Sequence, residues 1–132
     1  MRFFVGDVGR WARSRFGVAL PAGRTAVFGV SAGGELALAL GLRHPDVYGA
    51  VLSGSPGAGY QPPGVLPDRI PRTYLVAGTL EPFFLSNATR WAAALRLFPS
   101  HPPPVAAGII TAADAADRSA GAHWGTPLRK RG

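Results

Sequence analysis

Three side chains in this chain of 132 residues could together carry acyl transfer: Ser31, Glu81 and His123. Ser31 sits in Gly29-Val30-Ser31-Ala32-Gly33, where an apolar run ends and an Ala/Leu-rich one begins. A strand that turns sharply into a helix presents a serine hydroxyl clear of the sheet, and the G-x-S-x-G spelling suits that turn. Side chains at Gly29 and Gly33 are expected to collide with neighbouring backbone, and Ser31 to hold a strained conformation. A hydroxyl is a poor nucleophile at neutral pH and needs a base within hydrogen-bond reach. Of the three histidines, His44 closes the helix begun at Ser31 and so lies about 18 Å away along its axis. His101 precedes three prolines in a loop. His123 is left as the base. Its carboxylate partner should stand at the C-terminal edge of a strand, where open α/β sheets build their sites. Of seven acidic residues, Glu81 alone follows a strong strand pattern by only a few positions.

Each of these residues also has a plainer reading. Ser31 could be an ordinary helix N-cap. Glu81 could be a first-turn acid favoured by the helix dipole, and Glu35 a solvated or dipole-favoured acid of the same kind. His123 could be a surface histidine in a tail. Trp11 and Trp91 read as core.

The elements that must position the three residues follow from periodicity. Apolar residues Phe4, Val5, Val8, Trp11, Ala12 and Phe16 recur at helical spacing over residues 3–16, with Arg10, Arg13 and Arg15 between them. That helix should end near Gly17. A buried strand is expected at 25–30, then a helix from Gly33 to Arg43, stopped by Pro45. Further strands are expected at Val47–Leu52 and Thr73–Ala77, a Gly/Pro-rich loop at 54–71, a helix at Phe83–Phe98, and a weak strand at Val105–Ile110. Strands that are apolar on both faces and alternate with helices predict a short, mostly parallel sheet of about four strands, covered by helices on both sides. Residues 1–98 form the core in this reading, and residues 99–132 a weakly patterned C-terminal segment that carries His123.

Composition narrows the function classes. The chain is 47% hydrophobic and 16% charged, which suits a globular domain, and its length suits one. It has no Cys, which removes disulfides, thiolate nucleophiles and Cys-ligated metal; no metal site is expected. No apolar run reaches the roughly 18 residues of a membrane span. The N-terminal stretch is broken by Asp7 and Arg10, unlike a signal peptide, so a cytoplasmic location is expected. The net charge is +7, but the arginines are scattered and no aromatic-interleaved basic stripe occurs, which argues against nucleic acid. The same charge suits an anionic small molecule, or is simply a solvated basic surface.

The segments GVSAGGELALALGLRHPDVYGAVLSGSPG, RTYLVAGTLEPFFLSNATRWAAALR and AGAHW resemble the putative-esterase group of α/β-hydrolases, which includes enterochelin esterases and esterase D-like enzymes. The resemblance covers residues 5–98 well and 99–125 loosely. It implies a partial α/β-hydrolase fold and ester hydrolysis by a Ser–acid–His triad, through an acyl-enzyme and without a cofactor. On the matching positions Ser31 is the nucleophile, Glu81 the acid and His123 the general base, and the N–H of Ala32 supplies half of the oxyanion hole. The substrate would be a siderophore-like lactone or a simple acyl ester.

The chain also departs from that group. A complete α/β-hydrolase has about eight strands, and those before the elbow bring the loop with the second oxyanion donor. Only four strands are legible here, so the chain reads as a truncated member. Losing one oxyanion donor costs about 10²–10³ in rate. Trp124 directly follows His123, where relatives tend to carry an acid. A sheet that starts at the nucleophile strand has an unpaired edge that invites self-association. The alternative is therefore an inactive remnant that acts as an interaction or oligomerising module.

Overall fold

The computed structural model describes residues 2–18 and 21–96 and the backbone of residues 109–110. Its elements are α1 (Val8–Phe16), β1 (Ala26–Val30), α2 (Ala32–Arg43), β2 (Ala50–Gly54), β3 (Arg72–Val76), α3 (Pro82–Arg96) and β4 (Ile109–Ile110). A π-helical turn, Phe3–Asp7, runs into α1, and a 3₁₀ turn, Ala22–Arg24, precedes β1. The strands form one parallel sheet in the order β1-β2-β3-β4. This is the expected short parallel sheet with flanking helices. His101, His123 and the whole boundary between residues 98 and 99 lie outside the described residues.

α2 forms at once after Ser31 because Ala and Leu dominate its sequence, with Glu35 in its first turn and Arg43 in its last, the charge order that a helix dipole favours. Small residues let it lie close on the strands. A Cβ on Gly34 would stand 2.8 Å from the Gly54 carbonyl oxygen, and one on Gly41 would overlap the Val51 side chain. His44 closes α2 through its N–H to the Leu40 carbonyl, at 2.9 Å.

β2 starts at Ala50, three residues later than expected. The apolar Val47 belongs to a turn, in which the N–H groups of Val47 and Tyr48 both reach the His44 carbonyl at 3.0 Å. At Gly49 the chain passes so close to the Ala22 carbonyl that a Cβ would overlap it.

Leu38 and Leu42 of α2, Val51 of β2, Leu75 of β3, and Trp91, Ala92 and Leu95 of α3 form one core. Both helices therefore pack on the same face of the sheet. Helices were expected on both faces, because the strands are apolar on both. Among the described residues the second face is open: Phe28 is 70% and Val30 55% exposed, beside the exposed Leu52 and Val76. The loop from 55 to 71 straps over the closed face. Tyr60 stacks near Trp91 with ring centroids 5.5 Å apart, and the Arg90 guanidinium donates to Gln61 Oε1 at 2.6 Å.

The two tryptophans expected in the core part company. Trp91 is fully buried, whereas Trp11 is 58% exposed. The reason is that α1 buries no residue; the hydroxyl of Tyr48 ties the segment down by donating to the Phe4 carbonyl at 3.0 Å.

Candidate active site

Register puts the strand ends level: Val30 pairs with Gly54, Gly54 with Val76, and Val76 with Ile110. The residues that follow, Ser31, Ser55 and Ala77, thus stand side by side along the C-terminal edge of the sheet. Ser31 and the loop after β3 are separated by two strand spacings, roughly 10 Å.

Ser31 has φ 57° and ψ −122° and makes no side-chain cap bond to α2. An ordinary N-cap has extended backbone and bonds its hydroxyl to the helix, so that plainer reading fails here. A positive φ on a serine costs on the order of 1–3 kcal/mol and marks functional turns. The backbone is held there by two bonds: Ser31 N–H donates to the Gly54 carbonyl at 2.9 Å, and the Ser31 carbonyl accepts from Glu35 N–H at 3.1 Å. Gly29 allows the turn, since any Cβ there would overlap the Gly33 carbonyl. The companion expectation at Gly33 is not met: a Cβ there would meet nothing within 4 Å. The close approach falls instead on Gly34. Ala32 is the first residue of α2, and its N–H therefore lies among the first-turn donors that have no acceptor inside the helix.

Glu81 lies on the loop between β3 and α3. Gly78 and Glu81 close a turn through Glu81 N–H to the Gly78 carbonyl at 3.1 Å. The carboxylate folds back over that turn, and its Oε2 accepts from Gly78 N–H at 3.1 Å and from the Ser55 hydroxyl at 2.8 Å. Ser55 was not among the residues singled out from sequence. A signal for it exists: like Ser31, it is a hydroxyl residue at the end of an apolar strand, and Pro56 follows it at once.

Glu35 is only half-exposed, with its carboxylate packed on the backbone of Gly57 and Gly59, where a Cβ on Gly59 would stand 2.5 Å from Oε2. It braces the loop after β2, a more specific place than a solvated acid. His44 lies at the far end of the twelve-residue α2, where it lines an open cavity of about 310 Å³ with Arg2, Val5, Gly6, Asp7 and Arg10. It is remote from Ser31. The described residues contain no cluster of three or more His, Cys, Asp or Glu that could hold a metal, and no helix among them is long and apolar enough to cross a membrane.

Comparison with known proteins gives a consistent picture. The model of the family described as Putative esterase matches residues 3–93. The enterochelin esterase of Shigella flexneri is similar in structure, with a TM-score of 0.61 and 26% identity over 70% of this chain. The enterobactin esterase of Shigella flexneri, solved in the presence of 2,3-dihydroxy-N-benzoyl-serine, gives a TM-score of 0.56 and 30% identity over the same share. The chain spans 27% of the length of each. No curated protein sequence matches.

Proposed function

Because this chain belongs to the putative esterase family, we propose that it hydrolyses carboxylic esters with Ser31 as nucleophile, His123 as general base and Glu81 as the acid that steadies the imidazole. The observation that carries the reading is the strained backbone of Ser31 at the strand–helix junction. His123 takes the hydroxyl proton as Oγ attacks the ester carbonyl carbon. The carbonyl oxygen becomes an oxyanion, to which the N–H of Ala32 donates. Collapse breaks the bond to the alcohol, which leaves with the proton held by His123, and Ser31 is acylated. Water, deprotonated by the same imidazole, then releases the acid and restores the serine. Glu81 orients the imidazole and compensates the charge of the imidazolium.

The similar structures and the charge support a substrate class. The substrate is a siderophore-like lactone or a simple acyl ester, and the net charge of +7 favours an anionic one. p-Nitrophenyl acetate hydrolysis, measured beside Ser31→Ala, tests the reading. Loss of turnover in the variant, with a fluorophosphonate probe attached to Ser31 alone in the parent, is the expected result. Equal rates in the two proteins overturn it.

A second reading rests on a different observation, the open face around Phe28 and Val30 beside the edge of β1. In it the domain is an interaction module that pairs with a second copy of itself, and its test is the oligomeric state.

A further inference from the structure

We propose that Ser55 is a positioning residue for the Glu81 carboxylate, and through it for the base that works on Ser31. This rests on the triad reading above.

The Gly54–Ser55 peptide ties together the two ends of the site. Its carbonyl accepts from Ser31 N–H at 2.9 Å, and its N–H donates to the Val76 carbonyl at 2.6 Å. The elbow after β1 and the loop after β3 are thus fixed to one rigid planar unit. From that unit the Ser55 hydroxyl reaches Glu81 Oε2 at 2.8 Å. The same oxygen accepts from Gly78 N–H at 3.1 Å. Two donors on one oxygen lock the carboxylate's rotation and leave Oε1 as the oxygen that can accept from an imidazole N–H. Gly78 makes room for this fold-back, since a Cβ there would stand 3.0 Å from Oε2.

Residue choice at position 55 adds weight. Its φ is 41°, a region where Gly or Asn is usual and other side chains are uncommon. A serine that holds this conformation carries strain that glycine would avoid. The hydroxyl is what glycine lacks, and the hydroxyl is the group bonded to Glu81. An exposed carboxylate whose other bond is the one from Gly78 N–H gains orientation from such a clamp, and orientation is what an acid contributes to a triad.

The test compares Ser55→Gly, which suits the backbone and lacks the donor, with Ser55→Asn, which suits the backbone and offers an amide donor. Measured on p-nitrophenyl acetate in the full chain, Ser55→Gly should lower kcat about tenfold with KM unchanged. It should melt no lower than the parent. Ser55→Asn should recover most of the rate. Combined with Glu81→Gln, the glycine substitution should add little, because both remove the same oriented carboxylate. Unchanged kcat in Ser55→Gly, in a parent whose Ser31 is labelled by the fluorophosphonate, overturns the positioning role and leaves the esterase reading intact. Additive losses in the double variant overturn it as well. A parent in which Ser31 is never labelled overturns both.

Discussion

At the scale of single residues, the site is built from conformations that cost stability. Ser31 and Ser55 are the two non-glycine residues with positive φ among those described, and both stand at strand ends of the same edge. Strain of this kind persists where the surroundings over-determine it, and here the Gly54–Ser55 peptide does so. Ser31→Gly is therefore expected to raise stability by about 1 kcal/mol while removing the nucleophile. Urea denaturation checks it; a midpoint below that of the parent would mean that the serine is not strained. The sequence announced Ser31 through its glycines, because the overlap at Gly29 is a local steric fact. Ser55 was less legible. Its partner is 26 positions away, and only the parallel register brings the two together.

At the scale of elements, α2 and α3 were readable because an apolar stripe at helical spacing needs only one surface to pack on. Trp91 shows how such packing divides between volume and polarity. It is fully buried, yet its indole Nε1, like the Asn87 Nδ2 one turn before it, has no hydrogen-bond partner among the described residues. Trp91→Ala should cost about 3–5 kcal/mol through the cavity it leaves. Trp91→Phe should cost much less, since it removes an unsatisfied donor along with part of the ring. Equal losses, read from denaturant midpoints, would mean that the indole N–H matters. The same periodicity misplaced Trp11, because a stripe does not say whether anything lies opposite. α1 is held instead by the Tyr48 hydroxyl on the Phe4 carbonyl. Burial raises the pKa of Tyr48 above its ordinary 10.0. The folded chain therefore holds this proton more tightly than the unfolded one does. The contribution of Tyr48 to stability is fully present below pH 10 and is lost as pH rises through the folded pKa, when the donor to Phe4 is lost. Ellipticity or Trp11 fluorescence should show the N-terminal helix releasing in that alkaline range. Tyr48→Phe should release it at neutral pH, and a Tyr48→Phe variant with an unchanged alkaline transition would assign that transition elsewhere.

At the scale of the whole molecule, the sheet's two faces have different fates, and the strand pattern hid this. β1, β2 and β3 carry apolar side chains on both sides, which reads as burial on both, but the described helices cover one. Phe28 lies at the middle of β1, at the edge of the sheet, on the open face. Closed two-fold pairing of two such edges is antiparallel, and in the register centred on the middle of β1 it would set each Phe28 directly across from its copy on one face. The open faces of the two protomers would then run together as one apolar surface. Phe28→Lys puts like charges opposite one another at that centre and leaves the closed face untouched. Because Phe28 is largely exposed in the single chain, the variant should fold and melt like the parent. By sedimentation at micromolar concentration the parent should run as a dimer and the variant as a monomer. A parent that sediments as a monomer, or a variant of undiminished mass, removes the self-pairing reading and leaves the edge chemistry of Ser31, Ser55 and Glu81 to account for the domain.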